Sequence, residues 1–178
     1  MEFEEKVIDV EHIFDGHIVD LDVETVLTPE GQKATREIAY HANAVGVVIV
    51  SEDNKMLLVR QWRAPLRQET LEIIAGKLEP GENEASAVVR ELNEEARLQA
   101  QSVEKLTSFY VSPGFTNEKL TLYHASGLSP VSEKLPQDEG EILNLEWLDI
   151  KEVQVAIAKG EICDAKTIMA VMLWQSLQ

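Results

Sequence analysis

Positive charge and sulfur are both scarce in this 178-residue chain, and long apolar runs are absent. Lysine and arginine number 16 against 32 aspartates and glutamates, which leaves a formal charge of −16. So acidic a surface repels phosphate backbones, and no nucleic-acid partner is expected without a local basic patch or metal ions to offset it. The single cysteine, Cys163, excludes an internal disulfide framework and any cysteine-built zinc centre, and it reads as an ordinary reduced thiol. No stretch approaches the roughly 18 apolar residues of a membrane span. The opening "MEFEEKVIDV" has neither the basic start nor the apolar run of a signal peptide, so the expectation is a cytoplasmic protein with no membrane partner. His12, His17, His41 and His124 show no ligand spacing.

What is present is globular. Hydrophobic residues make up 44% and charged residues 27%, enough for one ordinary domain with a full core and a small appendage. His17–Leu27 alternates apolar and polar residues, "TPEGQ" supplies a turn, and Thr35–Tyr40 reads as the returning strand. Residues 1–40 are therefore expected to form an N-terminal β extension, and 41–178 the main domain. The unbroken apolar run Ala44–Val50 reads as a strand buried on both faces, paired as a hairpin with Lys55–Trp62. A short strand at Leu71–Ile74, a Gly/Pro loop over Gly76–Gly81 and a helix from Glu82 to Arg97 follow, with Ala85, Val88, Val89, Leu92 and Ala96 as its buried stripe. Further strands are expected at Leu106–Val111, Leu120–Ala125 and Ile142–Leu148. Asp149 with Glu152 marks a capping-box helix that Gly160 stops, and Asp164 opens the last helix. Strands mixed with few helices predict an α/β sandwich with a mixed sheet.

The segment "AGKLEPGENEASAVVRELNEEARL" (Ala75–Leu98) concentrates six glutamates. On a helix Glu91 and Glu95 share a face, with Glu94 at its edge. A solvated acidic face is the plain reading of such a pattern. Two features oppose it: Arg90 is the only base between Glu79 and Glu95, and the cluster lies toward the helix C-terminus, where the dipole disfavours negative charge. A divalent cation removes the repulsion. Mg²⁺ is held by a few carboxylates, waters and substrate phosphates, which points to phosphate chemistry.

The same segment resembles the Nudix box. There a glycine is followed after five residues by Glu, then after seven by Arg-Glu-aliphatic-x-Glu-Glu-x-Gly-aliphatic. Gly76, Glu82, Arg90, Glu91, Leu92, Glu94, Glu95 and Leu98 stand at those spacings; the one departure is Arg97 in place of the box glycine. A left-handed backbone at Arg97 costs about 1 kcal/mol relative to glycine; otherwise the helix end differs locally. The resemblance implies the Nudix α/β/α sandwich, with Glu91 and Glu95 as principal metal ligands, Glu94 as a further one, and the backbone carbonyl of Ala75 completing the set. Glu95 also enters as a catalytic carboxylate. Arg90 is similar to the arginine that orients the ligand carboxylates, and Glu82 to a residue that braces the loop–helix junction. The implied cofactor is Mg²⁺, with Mn²⁺ as a substitute.

The flanks "RQWRAP" (Arg60–Pro65), "LEIIAGKLEPGE", "SPGFTNE" (Ser112–Glu118) and "DAKT" (Asp164–Thr167) resemble ADP-ribose pyrophosphatases of the bacterial type, with Pro113 near that subgroup's marker proline. The likeness implies Mg²⁺-dependent cleavage of the pyrophosphate of ADP-ribose to AMP and ribose 5-phosphate. It also implies homodimerisation through the N-terminal β region, and a base in the acidic loop "LPQDEGEIL": Glu139, with Glu141 as the alternative base or an extra metal ligand. Arg63 is the expected grip on phosphate or ribose, with Arg36, Glu72 and Pro113 as further substrate contacts; Trp62 reads as a core or interface aromatic. Two alternatives stay open: a hydrolase of GDP-mannose or another nucleotide sugar, and an inactive Nudix scaffold that only binds its ligand.

Overall fold

The structure is a computed structural model that describes residues 2–137, 140 and 142–176. It divides into two compact units, the chain up to Asn43 together with Tyr110–Lys119, and Ala44–Phe109 together with the chain from Leu120 onward.

The first unit is a three-stranded antiparallel sheet of β1 (Lys6–Asp15), β2 (Val19–Leu27) and β3 (Lys33–His41), in that order. The turn between β2 and β3 closes through Thr28 N–H to Gln32 O at 2.9 Å, with Gly31 at φ 79°. This unit also takes in Tyr110–Lys119, which the sequence offers no reason to separate from the main domain. That segment is tied to β3 by Ala39 N–H to Phe115 O and His41 N–H to Asn117 Oδ1. Every residue of β1 is exposed.

The second unit is built on β4 (Ala44–Ile49), β5 (Met56–Arg63), β6 (Gln68–Glu72), β7 (Ile74–Lys77), α1 (Glu84–Ala96), β8 (Leu98–Gln99), β9 (Ser102–Tyr110), β10 (Lys119–Ser126), β11 (Ser129–Pro130), β12 (Asn144–Leu148), α2 (Ile150–Lys159) and α3 (Ala165–Ser176). One mixed sheet runs β7-β4-β10-β9, with β10 parallel to β4; a second, antiparallel sheet runs β12-β5-β6; β8 pairs with β11. Residues of β4 alternate between two cores. Ala44 and Val48 pack with α2 and α3 residues such as Val153, Ala170 and Trp174, whereas Val45, Val47 and Ile49 pack with Ala87, Val88 and Leu92 of α1. Both faces of the strand are covered, which explains its unbroken apolar run. Each fully buried aliphatic contributes about 2 kcal/mol. The layering is α/β/α, as the resemblance implies.

Four expectations are corrected. β4 and β5 do not form a hairpin: they share only the bridge Val50–Met56, and each belongs to a different sheet. The run Leu71–Ile74 is not one strand, because the chain leaves one sheet after Glu72 and joins the other at Ile74. Ile73 between them gives its N–H to Thr167 Oγ1 at 3.1 Å instead of to a strand. In α1 the buried stripe is Ala87, Val88, Glu91, Leu92, Glu95 and Ala96; Ala85 and Val89 face outward. The helix starts two residues later than predicted, after Asn83, whose side chain accepts from Ser86 N–H. The α2 capping box and the Gly160 stop occur as expected, and Asp164 Oδ1 caps α3 by accepting from Thr167 N–H at 3.0 Å.

Candidate active site

The buried stripe of α1 carries two carboxylates. Glu91 and Glu95 are 7% and 6% exposed, among the few charged residues in the interior. Glu91 lies directly over Gly76: a Cβ added there would meet Glu91 Oε1 at 1.6 Å. Glycine at this position is therefore a steric requirement of the carboxylate, and the contact sets Glu91 against the β7 backbone one residue from Ala75.

Arg90 organises the rim. Its guanidinium donates to Glu91 Oε1 (2.6 Å), Glu94 Oε2 (2.9 Å), both oxygens of Glu82 (3.0 Å each) and the Lys77 carbonyl (2.9 Å). Glu82 in turn accepts from Glu79 N–H at 3.0 Å, so it joins the loop to the helix. Hydrogen bonding by Arg90 holds Glu82 below the ordinary carboxylate range, while the surrounding carboxylates raise Arg90 further above its already high value. One arginine thus faces three glutamates, and the cluster keeps an excess of negative charge.

The donor set suits a hard divalent cation: two buried carboxylates on one helix face, Glu94 at the edge, and a backbone carbonyl at Ala75 beside the Gly76–Glu91 contact. Among the described residues no three His, Cys, Asp or Glu side chains converge into a ready-made cage.

A second cluster lies on β5, β6 and the start of α3. Glu72, 2% exposed, accepts two hydrogen bonds from Arg63 at 2.7 Å each, one from Thr70 Oγ1 at 2.6 Å, and a short ion pair from Lys166. Lys166 also reaches Asp164 Oδ1 at 3.0 Å. Burial opposes ionisation of Glu72, yet Arg63, Lys166 and Thr70 outweigh it and bring its pKa down to about 2. Glu72 raises Arg63 in return, chiefly by its hydrogen bonds, with smaller charge effects from Asp164 and Glu95 that place this cluster within electrostatic range of the α1 carboxylates. Arg63 and Glu72, expected as separate substrate contacts, are thus partners of each other. Nothing local in the sequence marks Thr70, Lys166 or Thr167 as members of this cluster; the "DAKT" string is the one signal near them, and it gives Asp164 only its place at the start of α3.

Two further networks were not foreseen. Glu84 in the first turn of α1 accepts from Lys105, Thr121 and Tyr123, and burial, followed by the hydrogen bond to Glu84, pushes the Tyr123 phenol up to about 12. At the other end Arg97 does take the left-handed conformation, φ 59° and ψ 30°. Its side chain donates to the carbonyls of Asn93 and Leu135, and Asn93 binds Glu133 O and Leu135 N–H.

The remaining expected residues are Arg36, Pro113, Trp62, Glu139 and Glu141. Arg36 pairs with Glu5 and the Thr35 carbonyl on β3, and Pro113 is exposed in the turn after Ser112; both belong to the first unit. Trp62 is 58% exposed and so is not a core residue. Glu139 and Glu141 lie outside the described residues.

Comparison with known proteins adds three findings. The model of the NUDIX domain matches residues 40–171. A methanol dehydrogenase activator of Bacillus methanolicus is 42% identical over 97% of this chain and 94% of its own length. An ADP-ribose pyrophosphatase of Bacillus subtilis is 40% identical over 97% and 93%. A crystal structure of an ADP compounds hydrolase superposes with a TM-score of 0.87 over 98% of this chain and 94% of that one, at 21% identity, a likeness of fold.

Proposed function

The chain belongs to the Nudix family, and on that premise we propose that it hydrolyses the pyrophosphate of ADP-ribose to AMP and ribose 5-phosphate, with Mg²⁺ as the working ion and Mn²⁺ as a substitute. Hydrolysis of a nucleotide-sugar diphosphate follows from the family and its relatives; the choice of ADP-ribose is the step beyond. The observation that carries the hydrolysis is the Glu91 carboxylate seated on Gly76, with Glu95 buried on the same helix, and the ADP-ribose pyrophosphatase relative supports the substrate.

Bound Mg²⁺ supplies charge neutralisation on the diphosphate and a more acidic water. The chain's own part is to hold that chemistry in place. Glu91 and Glu95, with Glu94 and the Ala75 carbonyl, present hard oxygens. Arg90 fixes Glu91 and Glu94 in position, and Glu82 fixes Arg90. Arg63, with a planar fork suited to phosphate and ribose oxygens, holds the substrate beside Glu72. Glu139 takes the proton from the attacking water, with Glu141 as the alternative base or an added ligand. Glu139→Gln is then expected to lower kcat by about 10²–10⁴-fold while Mg²⁺ and substrate still bind. Near-normal turnover assigns the proton transfer to Glu141 or Glu95.

Two more assignments belong to this reading. β1 exposes Val7, Ile8, Val10, Ile13 and Phe14, which supports a homodimer formed through the N-terminal β region; light scattering after gel filtration gives the mass. The exposed free thiol of Cys163 and the lack of disulfides fit a reducing, cytoplasmic setting. No helix among the described residues is long and apolar enough to cross a membrane.

The deciding experiment offers the purified protein ADP-ribose, GDP-mannose and other nucleotide sugars, with Mg²⁺ and with EDTA, and separates the products by chromatography. AMP and ribose 5-phosphate, lost in EDTA, are expected. A preference of about a hundredfold for GDP-mannose overturns the substrate. ADP-ribose binding without metal-dependent cleavage makes the chain a ligand-binding scaffold.

A further inference from the structure

The second cluster is organised around a carboxylate that must never be left alone. Glu72 is 2% exposed, and a buried carboxylate stripped of its partner becomes an uncompensated charge in a medium that solvates it poorly. To turn the Nε–Nη2 edge of its guanidinium onto phosphate or ribose oxygens, Arg63 has to leave Glu72, because that edge is engaged there. Some other cation must then remain.

The two cations on Glu72 are not equivalent. The Arg63 side chain is 39% exposed, stands at the end of β5 and donates, among the described residues, only to Glu72. The Lys166 side chain is 15% exposed and sits between two carboxylates, Glu72 and Asp164 Oδ1. Asp164 is itself fixed as the cap of α3 through Thr167 N–H. Thr70 adds a neutral donor from the same strand as Glu72. The arrangement has one exchangeable cation facing outward and one anchored cation behind. Arg63 and Lys166 balance Glu72 and Asp164, so the cluster stores no surplus charge for a substrate to use until Arg63 moves.

We propose that Lys166 is a positioning residue, the standing counter-ion that keeps Glu72 compensated and in place while Arg63 exchanges it for phosphate or ribose oxygens of the substrate. The proposal rests on the reading of Arg63 as the substrate grip. Lys166 touches no substrate; it lowers the cost of releasing Arg63. Without it, Arg63 is the last cation on Glu72 and stays there.

Six variants of the full chain test this, assayed with ADP-ribose and Mg²⁺ and compared by thermal unfolding. Lys166→Met is expected to raise KM about tenfold with kcat within about twofold, since uniform binding is lost and the chemical step is not. Lys166→Arg restores the charge and brings KM back near the parent value. Thr167→Val, which breaks the tie from α3 to Ile73 but leaves Lys166 intact, lowers Tm without moving KM. Arg63→Ala raises KM, and adding Lys166→Met to it raises KM no further, because Lys166 acts through Arg63. If Arg63→Ala raises KM and Lys166→Met does not, or if the two effects multiply, Lys166 is only a structural tie and the proposal fails. An unchanged KM in Arg63→Ala overturns the substrate-grip reading and this inference with it. Lys166→Gln, which keeps a donor and loses the charge, gives the same readout if Lys166→Met does not fold.

Discussion

Two carboxylate clusters in the second unit are built from the same residue types and put to opposite uses. At α1, Glu82, Glu91 and Glu94 face Arg90 while Glu95 lies buried on the same helix, and the surplus negative charge stays in the fold. Around Glu72, two cations meet two carboxylates, and the charge closes on itself. An unbalanced cluster is a standing invitation to a cation and a burden on stability; a balanced one supports the fold and releases a group only by exchange. The two should therefore respond to mutation in opposite ways.

The largest effect is expected on α1. Glu95→Gln should lower kcat by about 10²–10³-fold, the scale of losing one preorganised electrostatic group. In EDTA its Tm should be unchanged or higher, because Glu91 and Glu95 repel at a four-residue spacing near the unfavourable end of the helix dipole. Gly76→Ala should cost activity on the same scale by a different route: its Cβ would occupy the space of the Glu91 carboxylate. Kinetics with a Mg²⁺ titration, beside unfolding in EDTA, measure both. A large loss of stability in Glu95→Gln would mean that this cluster is as balanced as the other.

Around Glu72 the expected cost falls on stability. Glu72→Gln should destabilise by about 3 kcal/mol at neutral pH in urea unfolding, since Arg63 and Lys166 lose the charge they are arranged on. The pH dependence gives a sharper reading. The pKa of Glu72 falls from the ordinary 4.5 to about 2 on folding. A depressed carboxylate contributes stability that is complete above its unfolded value and is lost as pH falls from about 4.5 toward 2. Tm of the parent protein should drop through that window more steeply than Tm of Glu72→Gln. Parallel curves would show that the ion pairs contribute nothing, as for many exposed pairs.

The sequence made the first cluster legible and the second nearly opaque, for a physical reason. The α1 carboxylates lie within one helix, where a spacing of four fixes a shared face without knowledge of any other element. Glu72 meets Arg63, Thr70 and Lys166 across a strand pair and the start of the last helix, so each reads locally as an isolated charge. The same limit governs the strands. Ala44–Ile49 and Met56–Arg63 look like a hairpin from their adjacency, but β10, far along the chain, inserts parallel to β4 and turns β5 into another sheet. Leu71–Ile74 is uniformly buried because each of the two sheets covers its share, and only Thr167 shows that Ile73 belongs to neither. The ends of α2 and the start of α3, set by side chains within a few residues, are readable, whereas the Asn83 cap of α1 is not.

Arg97 offers the smallest and most discriminating test, because it separates the packing of the box from its chemistry. A left-handed arginine costs about 1 kcal/mol relative to glycine. Here its guanidinium bonds the Leu135 carbonyl, while Asn93 holds Glu133 and Leu135, so the helix that carries Glu91 and Glu95 is clasped to residues 133–135. Arg97→Gly relieves the backbone and loses the clasp, two effects of about 1 kcal/mol with opposite sign. Global stability should then change by less than about 0.5 kcal/mol. Arg97→Ala keeps the strain, loses the clasp and should be destabilised by about 1 kcal/mol. In both, the Leu135 amide should exchange with solvent about tenfold faster, since that region opens more readily when its ties are cut. Equal stability losses in the two variants would show that the backbone at this cap carries no strain, and that Arg97 stands where glycine is usual for its side chain alone.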